Sequence, residues 1–220
     1  MHEIHIGEDL RGKNREIAEE NRRLLRGKEV VTFNLMSAPG AGKTSLLVRT
    51  LPLIGEKYGI AVIEGDLQTS RDAERVEALG VQVFQIETGG VCHLDAAMVH
   101  SALHALELDA IDILFIENVG NLVCPAEFDL GEDARIMLLS VSEGDDKPKK
   151  YPLMFTESSL LLLNKIDLLP HVEFDLEKAK REALEINPKL EIKEISCRTG
   201  IGLDGWREWI DRYCSTHGGM

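Results

Sequence analysis

A strand candidate that runs straight into Ser37-Ala-Pro-Gly-Ala-Gly-Lys-Thr44, with a helix candidate behind it, restricts this chain more than any other feature. Residues 30–36 are rich in β-branched and aromatic side chains, and the pattern over 43–57 is helical. The octapeptide matches the phosphate-cradling loop, except that Ser37 stands where the first glycine belongs. Gly40 and Gly42 let backbone N–H groups turn toward phosphate, and the helix N-terminus adds its positive end. Pro39, Gly40, Ala41, Gly42, Lys43, Thr44 and Ser45 are therefore candidate nucleotide-binding residues. Lys43 is expected at the β- and γ-phosphates, and the Thr44 hydroxyl on Mg²⁺.

Further strand candidates lie at 60–64, 81–86, 112–117, 136–141, 160–164 and 190–195, and helical stretches at 70–79, 94–106, 174–186 and 204–214. Apolar strands alternating with helices predict an α/β fold: a P-loop NTPase-type, mostly parallel sheet covered by helices on both faces. One domain over residues 1–220 is expected, with an N-terminal helix at about 14–26 and a nucleotide and metal core at about 30–214. In the first helix acids come early and arginines late, as the helix dipole favours, and Gly27 reads as its stop. The charged stretch 143–150 reads as a solvated loop.

The balance of charge removes some functions. With 25 basic and 38 acidic residues the net charge is −13, which argues against a broad nucleic-acid-binding face. Aromatic residues make up only 5%, too sparse for a stacking platform. The N-terminus lacks the build of a signal peptide, and the longest apolar run, 160–163, is far short of the ~20 residues that span a membrane. A cytoplasmic protein is expected, with Cys92, Cys124, Cys197 and Cys214 as thiols.

Asn164-Lys165-Ile-Asp167 ends a Leu-rich strand candidate. The Asp167 carboxylate can accept from both N1–H and the 2-amino group of guanine, donors that adenine lacks. Ser196-Cys197-Arg198-Thr-Gly200, after the next strand, reads as a loop closing over the base. On the phosphate side, Asp66 in Glu64-Gly-Asp-Leu-Gln-Thr69 is placed to support Mg²⁺ or position water, and Glu117 to supply a second carboxylate near Mg²⁺. The Gly120 N–H is placed to sense the γ-phosphate. Lys43, Asp66 and Gly120 are thus the catalytic candidates. No Gln follows Gly120 directly, so intrinsic hydrolysis is expected to be slow.

Cys92 and His93, before one helix candidate, and Cys124, just beyond Gly120, should share the carboxyl edge of the sheet with the phosphates. Two thiolates and an imidazole suit Zn²⁺ or Ni²⁺ but leave a tetrahedral site one ligand short. Adjacent residues of an extended chain point to opposite faces, so Cys92 and His93 are expected to serve different ions across a symmetric interface. Inert, buried packing is the alternative for these thiols. His93, His100 and His104 fall on one helical face; His100 and His104 have chelating i,i+4 spacing, but a solvated or interfacial face is the expectation. Cys197 is expected to be structural, Cys214 and His217 to lie in a frayed Gly-rich tail, and His2 and His5 to be too sparse for metal storage.

In their order along the chain, Ser-Ala-Pro-Gly-Ala-Gly-Lys-Thr, Glu-Gly-Asp-Leu-Gln-Thr, Gly-Gly-Val-Cys-His-Leu-Asp, Glu-Asn-Val-Gly-Asn-Leu-Val-Cys-Pro and Asn-Lys-Ile-Asp resemble the hydrogenase nickel-incorporation GTPases, the HypB family. The resemblance runs from about residue 12 to the C-terminus. It implies a GTPase that forms a homodimer with GTP and handles nickel during [NiFe] hydrogenase maturation. A maturation partner and the hydrogenase large subunit would be the proteins it serves. It also implies metal binding by Cys92, His93 and Cys124 at the dimer interface, and a basic residue, read here as Lys150, that reaches the partner's nucleotide. The urease accessory GTPases carry Cys-Pro-His where this chain has Cys124-Pro125-Ala126. The N-terminal Cys-x-x-Cys-Gly-Cys and His-rich tracts of some relatives are lacking. The rival readings are a GTP-regulated scaffold with structural cysteines, a chaperone for urease or a cobalamin enzyme, and an ATP-dependent kinase or ATPase.

Overall fold

The computed structural model describes residues 6–66 and 71–218. Its frame is a seven-stranded parallel sheet: β1 Val31–Ser37, β2 Ile60–Asp66, β3 Gln82–Glu87, β4 Ile113–Glu117, β5 Ala134–Ser140, β6 Leu160–Asn164 and β7 Glu191–Glu194. Their spatial order is β3-β2-β4-β1-β5-β6-β7, and every neighbouring pair is parallel. The chain builds β2 and β3 on one side of β1, returns at β4, and then lays β5, β6 and β7 on the other. The carboxyl ends of the strands around β1 therefore border the crevice where such sheets take ligands.

The described helices are α1 Ile6–Gly27, α2 Lys43–Ile54, α3 Arg71–Glu77, α4 Ala96–Leu103, α5 Cys124–Glu127, α6 Lys147–Lys150, α7 Pro152–Thr156, α8 Leu176–Ile186 and α9 Leu203–His217. All seven β1 residues are buried, because helices cover both faces. Phe33 and Leu35 face Leu46 and Leu47 of α2 and Trp206 and Trp209 of α9. Phe33 packs against Phe115, Trp209 and Tyr213, with ring centroids 5.5, 5.7 and 5.4 Å away. On the opposite face, Ile63 and Ile116 meet Leu25 of α1 and Leu103 of α4, while Met36 and Met137 meet Phe155 of α7.

Several elements differ from the sequence pattern. Helix α1 starts at Ile6 and not near residue 14; Gly7 and Gly12 dilute its periodicity. The stretch 143–150 is not loop throughout: Pro148 starts a turn of α6, closed by Lys150 N–H on the Asp146 carbonyl at 3.2 Å. Cys214 is not in a frayed tail. Helix α9 continues to His217, and its apolar stripe of Leu203, Trp206, Ile210 and Cys214 is buried against the sheet. Helix α4 begins at Ala96, capped by Asp95, which accepts from Met98 N–H at 2.8 Å, so His93 does not share its face with His100 and His104.

Candidate functional site

Two adjoining depressions, of about 350 and 380 Å³, lie over the carboxyl ends of the central strands. The first is lined by Pro39, Gly40, Gly42, Lys43, Thr44, Ser45, Glu64, Glu117 and Gly120. Gly40 and Gly42 have φ of +75° and +109°, a left-handed backbone that turns the loop around. The buried Lys43 Nζ donates to Ser37 Oγ at 3.1 Å. The serine at the first-glycine position thus holds the lysine over the loop. Thr44 Oγ1 donates to Glu117 Oε1 at 2.9 Å. A hydroxyl and a carboxylate thereby meet where a divalent cation bound to phosphate would be held. Gly120 lies against the loop, and a Cβ there would stand 2.8 Å from Pro39 Cα. Asp66 ends β2, while residues 67–69 of the acidic motif lie outside the described residues.

The second depression is lined by Asn164, Lys165, Asp167, Cys197 and Arg198, with Gly42 and Ser45 shared. Asn164 Nδ2 donates to the Ala41 carbonyl at 2.8 Å, and Lys165 Nζ to the Gly40 carbonyl at 2.7 Å. Lys165 itself takes a left-handed φ of +63°. Ser196 Oγ donates to Asp167 Oδ1 at 2.6 Å and fixes the carboxylate. Asn164 Oδ1 accepts from Cys197 N–H at 3.3 Å, tying the two loops together. Burial pushes the Cys197 thiol up to about 11. Lys150 stands apart on α6, exposed and paired with Asp146 at 2.5 Å.

Beside the first depression, Cys92, His93 and Cys124 place their ligand atoms within 4.8 Å of one another. Cys92 Sγ is 3.1 Å from Cys124 Sγ and 4.0 Å from His93 Nδ1. The expectation of opposite faces for Cys92 and His93 is therefore corrected: the chain bends at Cys92 and His93, and both side chains reach one side. His93 stacks on Phe128, centroids 3.9 Å apart, and burial lowers its pKa, which favours the neutral ring that can ligate. Cys124 is raised, first by the hydrogen bond from Cys92 and then by burial. Soft and borderline donors at this spacing fit Ni²⁺ or Zn²⁺ and leave a further position open.

Side-chain amides, two of them buried, join these parts, and sequence reasoning missed that role. Asn118 Oδ1 accepts from Leu94 N–H at 3.1 Å and from Val119 N–H at 2.9 Å. Its Nδ2 donates to Asn34 Oδ1 at 3.2 Å. Asn121 N–H donates to the Ser37 carbonyl at 2.8 Å, and Asn121 Oδ1 accepts from Cys124 N–H at 3.3 Å. Arg75 of α3 lines both depressions. Glu143 accepts from Ser140 N–H at 3.0 Å; burial raises its carboxyl, against the charges of Lys147, Lys165 and Lys43. Asn118 and Asn121 lie within the Glu-Asn-Val-Gly-Asn-Leu-Val-Cys-Pro stretch, but their long-range partners are not legible there, and Arg75 and Glu143 stand in no motif.

A parallel sheet with this strand order, and a glycine loop between β1 and α2 holding a buried lysine, define a P-loop NTPase fold. The family model described as "CobW/HypB/UreG, nucleotide-binding domain" matches residues 31–194. Hydrogenase maturation factor HypB of Azotobacter vinelandii is 51% identical over 213 residues, 97% of this chain and 70% of that protein. The crystal structure of HypB from Archaeoglobus fulgidus superposes with a TM-score of 0.87 at 41% identity, covering 92% of this chain and 99% of that one. HypB from Helicobacter pylori, solved in complex with nickel, gives 0.89 at 35% identity over 94% and 98%. The chain belongs to the HypB hydrogenase maturation factors.

Proposed function

We propose that this chain is a GTP-hydrolysing metallochaperone that dimerises with GTP and handles nickel for insertion into [NiFe] hydrogenase. In this reading the chain acts as one GTPase domain in the cytoplasm, with a maturation partner and the hydrogenase large subunit as its clients. Lys43 and the amides of residues 39–45 bind the phosphates, and Thr44, Glu117 and Asp66 hold Mg²⁺. Asp167 reads guanine, assisted by Asn164 and Lys165, while Ser196, Cys197 and Arg198 close over the base. Cys92, His93 and Cys124 take Ni²⁺, with Zn²⁺ as the competing ion, and Lys150 reaches the nucleotide of the partner chain. Hydrolysis is slow, since Mg²⁺ and Lys43 do most of the organising of the attacking water.

One observation carries the coupling. Asn121 bonds the phosphate loop through Ser37 and caps the turn that presents Cys124. A movement of Gly120 and its neighbours on loss of the γ-phosphate therefore moves a metal ligand. By linkage, metal must change GTP affinity by the factor that GTP changes metal affinity. The nickel complex of the Helicobacter pylori relative supports the choice of metal.

The test is Ni²⁺ affinity and molecular mass with GDP and with a non-hydrolysable GTP analogue. Expected are a nucleotide-dependent change in affinity and a dimer with the analogue. Equal nickel binding in both states would overturn the coupling and favour the scaffold.

A further inference from the structure

We propose a second, exchangeable transition-metal site at the C-terminal end of α4, formed by His100 and the capping residue His104 and separate from the Cys92–His93–Cys124 centre. A buried amide orients the first of these rings. Asn21 of α1 is fully buried, and its Nδ2 donates to the Ala96 carbonyl at 2.9 Å and to the Leu130 carbonyl at 3.0 Å. Two carbonyl acceptors fix the flip of the amide, so Asn21 Oδ1 faces His100 Nδ1 at 2.8 Å as an acceptor. His100 must therefore carry its proton on Nδ1. Its Nε2 lone pair is left pointing outward, and the ring cannot turn without breaking that bond.

His104 completes the pair. Its Nε2 is 3.1 Å from His100 Nε2, and the two rings are nearly perpendicular at 85°. That separation matches two imidazoles on one ion: with metal–nitrogen bonds of about 2.0–2.1 Å it corresponds to an N–metal–N angle of roughly 100°. In the metal-free protein one proton lies between the nitrogens, donated by His104. Metal entry displaces that proton from Nε2, to Nδ1 of the same ring or to solvent. An oriented imidazole whose far nitrogen is held by a buried carbonyl is the usual arrangement of a metal-ligating histidine.

The pair is open to solvent. His104 is exposed and borders a surface depression that also carries Glu107 and Asp109; Lys28 on its rim is paired with Asp109 at 2.6 Å. Two protein ligands leave the remaining positions to water, so the ion is held loosely and exchanges fast. Imidazole donors select late first-row divalent ions, Ni²⁺ and Zn²⁺ among them. The site needs neither nucleotide nor thiol, so its failure and that of the proposed nickel centre are separable.

The experiment is calorimetric titration of Ni²⁺ into the Cys92→Ser/Cys124→Ser chain, then into the same chain with His100→Ala or His104→Ala. One Ni²⁺ per chain is expected in the thiol-free protein, with at least tenfold weaker binding after either histidine change. Zn²⁺ should shift the ¹⁵N resonances of both Nε2 atoms. No Ni²⁺ binding by the thiol-free chain, or full affinity in either histidine variant, overturns the proposal. Should the thiol-free chain not fold, His104→Ala in the otherwise unaltered protein must lower the Ni²⁺ stoichiometry by one, and an unchanged stoichiometry overturns it equally.

Discussion

The sulfur of Cys92 lies 3.1 Å from that of Cys124, although the two residues are 32 positions apart in the chain. One follows β3 and the other follows β4, strands kept apart in the sheet by β2. The contact is therefore a product of loops converging over the sheet edge. Cys124→Ala is expected to weaken Ni²⁺ binding at least tenfold while GDP affinity stays within a factor of three. Calorimetry on both ligands decides it; nickel affinity equal to the unaltered protein would remove Cys124 from the ligand set.

Asp167 is held by Ser196 Oγ at 2.6 Å and lines the second depression. Asp167→Asn replaces an acceptor with a donor toward guanine N1–H and the 2-amino group. GTP affinity should fall at least 100-fold, and xanthosine triphosphate, which offers a carbonyl in place of the amino group, should gain. Fluorescent-nucleotide competition measures both. Unchanged preference for GTP would remove Asp167 from the reading of the base.

Asn118 is 1% exposed and serves three partners, Leu94 N–H, Val119 N–H and Asn34 Oδ1. Asn118→Ala leaves two buried N–H groups without their acceptor, at a cost of about 2 kcal/mol in unfolding free energy. The Cys92–His93 loop should loosen with it, since Leu94 N–H is its anchor. Urea unfolding tests the first expectation, and faster amide exchange over residues 91–95 the second. A loss below the error of the urea experiment would mean that the amide network is ornamental.

Burial would raise the Asp129 carboxyl, but the Arg22 hydrogen bond, the Gly131 N–H and the charges of Arg22 and Arg135 outweigh it and hold it below the ordinary 3.8. A carboxyl with a lowered folded pKa gives stability that is present above its unfolded pKa and lost as pH falls through the folded one. Asp129→Asn should therefore cost about 1 kcal/mol at pH 7, and the gap from the unaltered protein should close as pH drops below about 4. Denaturant midpoints at the two pH values measure this. A gap that is the same at both would assign the loss to packing and not to the ion pair.

The phosphate loop, the Asn164–Asp167 tetrapeptide and the alternation of strands with helices are all legible in the sequence, because each depends on residues contiguous in the chain or on a simple periodicity. The parts that join them are not. Asn118 meets Asn34 across 84 positions, and Asn121 reaches back to Ser37. Such pairings follow from strand order and register, which no single-residue pattern encodes. The bend at Cys92 and His93 defeats the alternation rule, since that rule holds only for extended chain. The glycines after Cys214 suggest a frayed end, yet the spacing from Leu203 through Trp206 and Ile210 already carries a buried stripe.

The grip of Asn164 on Ala41 and of Lys165 on Gly40 has a consequence for anyone altering this pocket. Gly42 leaves no slack, since an added Cβ would stand 2.6 Å from Asn164 Nδ2. In the proposed reading the segment beside the base is thus also a bracket for the loop around the phosphates, and the two cannot be exchanged as separate modules. A graft that replaced Asn164 and Lys165 along with Asp167 would remove the bonds to Ala41 and Gly40 as well. Redesign can begin at position 167, with Asn164 and Lys165 kept as fixtures.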